Sequence, residues 1–195
     1  MNILLVNGYQ KHDFCKGELN FSLYNIFLNK LRHHHNVQLS SVESYDIIDE
    51  RNKFLWADLI IFQFPIYWFN VPGKLKLYLD NVFEYGQFYS FADKYGTGGL
   101  MKGKEYIISS TWNAPEYTFN DSNEFFNDSN EFFNDSNEFF NGKSVDEILI
   151  SFHKAMEFCG FTQRETLSFH NVVKKPNFEQ YKAKLEQYID DKINK

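Results

Sequence analysis

The sequence has few cysteines, no excess of basic residues and no long apolar run, and each shortage excludes a class of protein. Its two cysteines, Cys15 and Cys159, are too few for a disulfide framework, which indicates a reducing compartment. The formal net charge of −6 argues against nucleic acid or an anionic membrane as the main partner. The start, Met1–Gly8, has no basic segment and only a short apolar run, so neither a signal peptide nor membrane insertion is expected. These features together predict a cytoplasmic protein.

Aromatic residues are abundant: they make up 19% of the chain, with 22 phenylalanines and 12 tyrosines. The 43% of hydrophobic residues suffices for a core, and the length predicts one domain over 1–195. The aromatic share indicates a use for rings beyond packing. The run His33–His35 is not expected to bind a metal, because consecutive side chains on a helix point in different directions.

The stretch 58–83 organises the predicted fold. Leu59–Phe64 is a continuous apolar run, typical of a strand buried on both faces of a parallel sheet, and Pro65 ends it. Ile66–Phe69 then places bulky residues where a loop is normally polar, and Pro72 is expected in the first turn of the helix that follows. In an open α/β sheet, ligands bind beyond the carboxyl ends of the strands. Rings at that place indicate a flat, apolar ligand.

The first strand, Ile3–Val6, leads through a polar loop to a helix predicted from Leu19 to about Arg32. A helix N-terminus after a strand favours anions, since its free N–H groups and positive dipole end point the same way. Gly17 allows the backbone to approach a ligand closely. The loop lacks both the Walker A sequence and the G-x-G-x-x-G fingerprint. It is therefore either a phosphate site or an ordinary connection.

The remaining elements complete a three-layer α/β domain of flavodoxin-like type, with a five-stranded parallel sheet in the order 2-1-3-4-5 and helices on both faces. Ser144 and Glu147 form a capping-box pattern at the start of a helix that Gly160 ends. The other predicted elements are strands at Val37–Val42, Tyr106–Ser110 and within Thr162–Val173, a short helix within Asp46–Trp56, and a last helix at Phe178–Ile193.

A second rim loop, Thr111–Pro115, follows the fourth strand. Parallel strands place it beside Ile66–Phe69, because carboxyl ends meet at one edge of the sheet. Small hydrogen-bonding residues around Trp112 suit a flat heterocycle with polar edges. A capped turn with a packed tryptophan explains the same residues nearly as well.

Phe119–Phe139 is a perfect triplicate of Phe-Asn-Asp-Ser-Asn-Glu-Phe, and Phe140 begins a fourth copy that stops. Asn, Asp and Ser disfavour a helix interior, so a coiled coil is not expected from the seven-residue period. We predict a surface loop insertion at about 119–140, which a fold tolerates because loop closure costs little. Its phenylalanines cover a pocket, form a subunit contact or promote aggregation.

Five short motifs stand out along the chain: Asn52–Asp58, Gln63–Pro65, Lys94–Leu100, Thr111–Pro115 and Phe152–Ala155. Together they resemble the modulator of drug activity B family of NAD(P)H:quinone oxidoreductases, related to the mammalian enzyme DT-diaphorase. The likeness runs almost end to end, although only one of the heptad units is expected. It implies a flavodoxin-like homodimer that binds FAD, takes hydride from NAD(P)H at flavin N5 and reduces a quinone or related electrophile by two electrons in a ping-pong sequence.

The resemblance also implies site residues. It assigns the pyrophosphate side to Cys15, Lys16, Gly17, Glu18, Leu19, Asn20, Phe21 and Ser22. It assigns the isoalloxazine side to Ile66, Tyr67, Trp68, Phe69, Thr111, Trp112, Asn113 and Ala114, with Tyr95 as a further cofactor contact. Cys15 and Tyr67 depart from the small hydroxyl residue and the tryptophan expected there. His153 is a candidate proton donor, although a histidine on a helix face with Phe152 and Met156 is more often structural.

Two other functions fit the same sequence. One is an FMN-binding, flavodoxin-like electron carrier that serves a partner protein. The other is a non-catalytic interaction protein in which the phenylalanine-rich repeat docks a partner. The sequence does not distinguish NADH from NADPH and does not identify the electron acceptor.

Overall fold

The computed structural model describes residues 1–13, 15–119 and 139–194, and within them a six-stranded parallel sheet carries helices on both faces. The sheet order is β2-β1-β3-β4-β5, with β6 also paired to β4, which confirms the predicted flavodoxin-like order. The strands are β1 Asn2–Asn7, β2 Asn36–Ser41, β3 Leu59–Pro65, β4 Glu105–Thr111, β5 Thr162–Gln163 and β6 Leu167–Phe169. The helices are α1 Glu18–Leu31, α2 Ile47–Trp56, α3 Gly73–Val82, α4 Val145–Ile148, α5 Ile150–Cys159 and α6 Phe178–Lys192.

The predicted fifth strand is two short strands along the same edge of β4. Tyr106 and Ser109 pair with Gln163 and Leu167, so the edge strand carries one more residue than β4 between the two pairings. An extra residue of this kind interrupts the ladder as a β-bulge does. Periodicity alone does not reveal such an interruption.

The helix predicted from Ser144 to Gly160 begins with the expected capping box and also divides. Ser144 Oγ accepts from the Glu147 N–H while the Glu147 carboxylate accepts from the Ser144 N–H. Leu149, at φ −89° and ψ 17°, separates α4 from α5, and Gly160 caps the end at φ 93°. The capping box therefore predicted the start of the helix correctly. The continuous apolar stripe gave no indication of the break at Leu149.

Two apolar clusters cover the two faces of the sheet. One contains Leu23 and Phe27 of α1 with Leu185 and Ile189 of α6, and the other contains side chains of α2, α3 and α5. β3 has no exposed residue, because it lies between β1 and β4 and has helices on both faces. Among the described residues, no helix combines the length and the hydrophobicity that a membrane span requires.

Of the repeat region, only the two ends are described. Phe119 and Phe140 are buried and stack with their ring centroids 4.5 Å apart, so the chain leaves and returns at one point of the core. We call this pair the stem. The surface loop predicted for the repeat units falls on 120–138, and these residues lie outside the described residues.

Candidate ligand site at the carboxyl ends of the strands

The two predicted ring-side loops are neighbours at the carboxyl edge of the sheet. Pro65 and Thr111 are register partners at the ends of β3 and β4, and Ile66 N–H donates to the Thr111 carbonyl at 2.9 Å. The segments that contain Trp68 and Trp112 therefore start side by side, as the parallel sheet predicts.

Trp68 and Phe69 form a strained turn. The backbone of Tyr67 and Asn70 exchanges two hydrogen bonds, of 3.0 and 3.1 Å, around central residues at φ 50° and φ 63°. Such a two-residue turn normally uses Asn and Gly, and a bulky residue at positive φ costs about 1–3 kcal/mol. The surroundings hold it, since the Phe69 ring lies 5.2 Å from Phe139. Trp68 is thereby presented to solvent, 92% exposed.

The loop after β1 forms a backbone cradle at the start of α1. Gly17 lies at φ 73°, and a Cβ there would come within 2.5 Å of the Tyr9 ring. The Tyr9 hydroxyl donates to the Cys15 carbonyl at 2.6 Å and so fixes that ring under the glycine. The first helical hydrogen bond runs from Phe21 N–H to the Gly17 carbonyl, which leaves earlier N–H groups without intrahelical acceptors. This geometry fits an anionic phosphate group.

The ring-side and phosphate-side loops are joined through Tyr67. Its hydroxyl donates to the Gln10 carbonyl at 2.9 Å, and burial, with the neighbouring Cys15, raises the pKa of Tyr67 above its usual value. The phenol is therefore a neutral donor at physiological pH. The Gln10 side chain in turn accepts from the Lys74 N–H at 2.8 Å, which ties the same loop to α3.

The side chains of Trp112 and Asn20, which were predicted to contact the ligand, point into the protein instead. The Trp112 indole is 1% exposed, donates to Ser110 Oγ at 2.8 Å and packs 5.0 Å from Phe119. The alternative of a packed tryptophan in a capped turn is therefore what the structure shows. Asn20 is also buried, with its amide bonded to Asn7 and Gln63. Only the backbone of these two residues is available to a ligand.

The other predicted residues differ in exposure. Lys16, Glu18, Phe21 and Asn113 are exposed at the rim, whereas Cys15, Ile66 and Ala114 are half-buried. Leu19 packs on the α1–α6 cluster, and Ser22 Oγ donates to the Glu18 carbonyl. Thr111 is buried at the end of β4.

Tyr95 and His153 are not at this rim. The Tyr95 ring packs 5.7 Å from Phe158 near the end of α5, beside the first residues of β4 and β5. His153 Nδ1 lies 2.6 Å from the hydroxyl of Tyr106, which precedes Thr111 by about 16 Å of strand. Its Nε2 lies 3.2 Å from Asp146 Oδ1. The geometry gives His153 a structural position and does not support a role as proton donor at the rim.

His170, which no sequence pattern indicated, holds the Trp112–Ala114 loop. Its Nδ1 lies 3.3 Å from the Ala114 carbonyl and its Nε2 2.9 Å from Ser168 Oγ. The backbone N–H of Trp112 also donates to the Phe169 carbonyl at 2.7 Å. Burial lowers the pKa of His170 to about 4, so the ring is neutral and donates through Nδ1–H. Its only sequence signal is a polar residue directly after Phe169, the last residue of β6.

Because burial lowers the pKa of His170, we expect the free energy of unfolding to fall in acid. The folded-state pKa lies near 4 and the ordinary value is 6.5, so the contribution to stability is complete above pH 6.5 and is lost as the pH falls towards 4. The loss amounts to about 3 kcal/mol. Chemical denaturation of wild type and His170→Asn across this range should give curves that converge on acidification. A constant difference between them would contradict the prediction.

Comparisons with known proteins agree with this fold. A family model described as flavodoxin-like fold matches residues 1–191. NADPH:quinone oxidoreductase MdaB of Haemophilus influenzae is 36% identical over 97% of this chain and 98% of its own. A Klebsiella pneumoniae structure, described provisionally as a quinone reductase, has a TM-score of 0.71 and 24% identity over 97% of this chain and 84% of that one. General stress protein 14 of Treponema denticola, in complex with FMN, has a TM-score of 0.67 and 19% identity, covering 97% and 95%.

The fold, the paired rim loops and the full-length match define a flavodoxin-like protein. The chain belongs to the flavodoxin-like family and, within it, to the modulator of drug activity B group. The resemblance noted in the sequence is thereby confirmed.

Proposed function

We propose that the chain is a flavin-dependent NAD(P)H:quinone oxidoreductase. The observation that carries the proposal is the juxtaposition of an exposed aromatic turn and a backbone phosphate cradle at one edge of the sheet. The name of the Haemophilus influenzae relative, which matches the chain from end to end, supports the same activity. When bound, the flavin supplies the redox chemistry, accepting hydride from NAD(P)H at N5 and passing two electrons to a quinone in a ping-pong sequence.

The chain's own residues bind and orient the cofactor. The N–H groups of the first turn of α1, from Glu18 to Asn20, face the phosphate side, where the helix dipole favours negative charge. The turn at Trp68 and Phe69 offers apolar contact to a flat ring. Backbone donors of Asn113 and Ala114, on a loop that His170 fixes, stabilise charge that develops at the polar edge of that ring.

FAD is the cofactor that we propose, and FMN is the alternative. Both carry the phosphate that the cradle fits, and the Treponema denticola structure with the same fold is described as a complex with FMN. Release of the flavin by heat denaturation, followed by mass determination, distinguishes the two. The same measurement on protein purified without added flavin shows which cofactor the cell supplies.

We also infer a homodimer. Tyr95 is 92% exposed and lies at the amino ends of the strands, so within one chain it is far from the rim. If Tyr95 contacts the cofactor as the family resemblance implies, it contacts the cofactor of a second copy. Phe91, also 91% exposed, adds apolar surface to the same segment. Molar mass from light scattering should be twice that of the chain, and Phe91→Asp should lower it.

The proposed activity has a direct optical test. We expect purified protein, as isolated or after adding FAD, to be yellow, to bleach with NADPH under nitrogen and to recover its absorbance on adding menadione. Trp68→Ala, which leaves the core untouched, should weaken flavin binding, whereas Leu77→Ala, an exposed apolar residue on α3, should leave it unchanged. A colourless protein that binds neither FAD nor FMN would overturn the proposal.

The electron carrier remains the second candidate because the same rim fits FMN. A carrier needs no nicotinamide site, so a flavin that is reduced by a partner protein but never directly by NADPH or NADH would favour it. The interaction protein predicts instead that deletion of Asn127–Phe140 abolishes partner binding, whereas a catalytic domain keeps its flavin and its turnover.

A further inference from the structure

A row of polar side chains crosses the sheet directly beneath the candidate site. Asn7, Gln63 and Ser109 are register partners on the adjacent strands β1, β3 and β4. The row lies on the sheet face that α1 covers, near the carboxyl ends of the strands. Two residues earlier on the same face, the corresponding row is apolar and consists of Leu5, Ile61 and Ile107.

Asn20 of α1 closes this row into a continuous chain of hydrogen bonds. Ser109 Oγ donates to Gln63 Oε1 at 2.6 Å, and Gln63 Nε2 donates to Asn20 Oδ1 at 3.0 Å. Asn20 Nδ2 then donates to Asn7 Oδ1 at 3.0 Å, and the same oxygen accepts from the Tyr9 N–H. Gln63 and Ser109 are fully buried, and Asn20 is 2% exposed.

The row connects the two halves of the site. Asn20 lies in the first turn of α1, whose N–H groups face the phosphate side, and Tyr9 supports Gly17 from below. Gln63 and Ser109 each lie two residues before the ends of their strands, from which the ring-side loops start. A buried polar chain of this kind is stable only when every member is satisfied, because each orphaned group costs its full desolvation.

We propose that the row and Asn20 together are the positioning element of the site. They fix the phosphate-binding turn of α1 relative to β3 and β4. The proposal rests on the proposed flavin function for the identity of its ligand. Rigid support of this kind determines whether contacting groups meet a ligand in the right geometry. Gln63 is the central member, since it bonds to residues on both sides.

Gln63→Met tests the proposal with a series of flavins. Methionine has a similar length but gives Asn20 no donor and Ser109 no comparable acceptor. We expect the dissociation constants of FAD and FMN to rise at least tenfold, because both carry phosphate. The dissociation constant of riboflavin, which has none, should change less than about threefold, since the ring-side loops keep their own contacts.

The matched control is Ile61→Val, two residues earlier on the same strand and face. It removes one methyl group from the α1-side cluster without touching the row, and should leave the ratio of FAD to riboflavin affinity unchanged. The double variant Asn20→Ala with Gln63→Met should bind FAD about as weakly as whichever single variant binds it less tightly. The reason is that each substitution breaks the same chain of hydrogen bonds. Equal weakening of all three flavins, or no change in any, would overturn the proposal.

Amide hydrogen exchange in the flavin-free protein separates this inference from the proposed function. Exchange at Phe21, Ser22 and Leu23, the first N–H groups of α1 with intrahelical acceptors, should be at least tenfold faster in Gln63→Met than in Ile61→Val, compared at equal global stability. If the wild type binds no flavin but these amides respond, the positioning role stands and the flavin function fails. Unchanged exchange together with unchanged phosphate discrimination would reject the positioning role alone.

Discussion

Gly17→Ala should raise the dissociation constant of FAD or FMN at least tenfold, as measured by flavin fluorescence titration. The added Cβ would meet three atoms of the Tyr9 ring at 2.5 to 2.7 Å, and an alanine at φ 73° is strained in addition. The ring cannot swing aside without breaking the hydrogen bond from its hydroxyl to the Cys15 carbonyl. The cradle must therefore move, and with it the N–H groups that receive the phosphate.

Gly103→Ala is the matched control for that substitution. Gly103 also lies at positive φ, 85°, but a Cβ there meets nothing within 4 Å. Both variants should lose about 1–2 kcal/mol of unfolding free energy to backbone strain alone. Only Gly17→Ala should lose more than that and also lose flavin. Equal effects of the two substitutions on flavin binding would show that the contact with Tyr9 does not matter.

Elements that depend on local signals could be predicted from the sequence. The strand Leu59–Phe64, the aromatic turn and the helix after Pro72 follow from an apolar run, a proline and a change of period, all within 58–83. The capping box at Ser144 and the αL cap at Gly160 are equally local. Because parallel strands share a carboxyl edge, the proximity of the two rim loops could be predicted as well.

Features that depend on side-chain direction or on long-range strand register could not be predicted from the sequence. A tryptophan directly after a strand can turn to either side, and Trp112 turns inward because Ser110 accepts its N–H and Phe119 packs against it. The polar row requires knowing that Asn7, Gln63 and Ser109 lie opposite one another, although they are far apart in the chain. A glutamine inside an otherwise apolar strand was the one available signal, since it must find buried partners.

The position of His153 shows a related limit. Its helix face was known from the spacing, but the end of the sheet that it faces was not. The partner Tyr106 is the second residue of β4, so the imidazole is held by a residue five positions before the rim. Tyr95 is displaced in the same direction, so the fold of one chain does not bring it to the rim.

Phe140→Ala should lower the free energy of unfolding by about 3–5 kcal/mol, the usual cost of truncating a buried phenylalanine. Phe140 is 5% exposed, stacks on Phe119 and lies 5.7 Å from Phe69, so its loss also releases the strained turn. Deleting Asn127–Phe140 removes the same residue but joins Phe126 to Asn141. The new junction therefore has the same sequence as Phe140–Asn141, and Phe126 takes the place of Phe140. This shortened chain should be as stable as the wild type or about 1 kcal/mol more stable, since a shorter loop closes more easily.

A second substitution in the shortened chain makes the comparison decisive. Phe126→Ala should there cost the same 3–5 kcal/mol, roughly, as Phe140→Ala costs in the full chain, because each removes the ring that completes the stem. Urea denaturation of the four proteins measures both differences. If the deletion alone destabilises as much as Phe140→Ala, the removed units contribute to the core. If it does not, the stem makes the fold independent of the number of units, which explains how a chain of this family carries three of them.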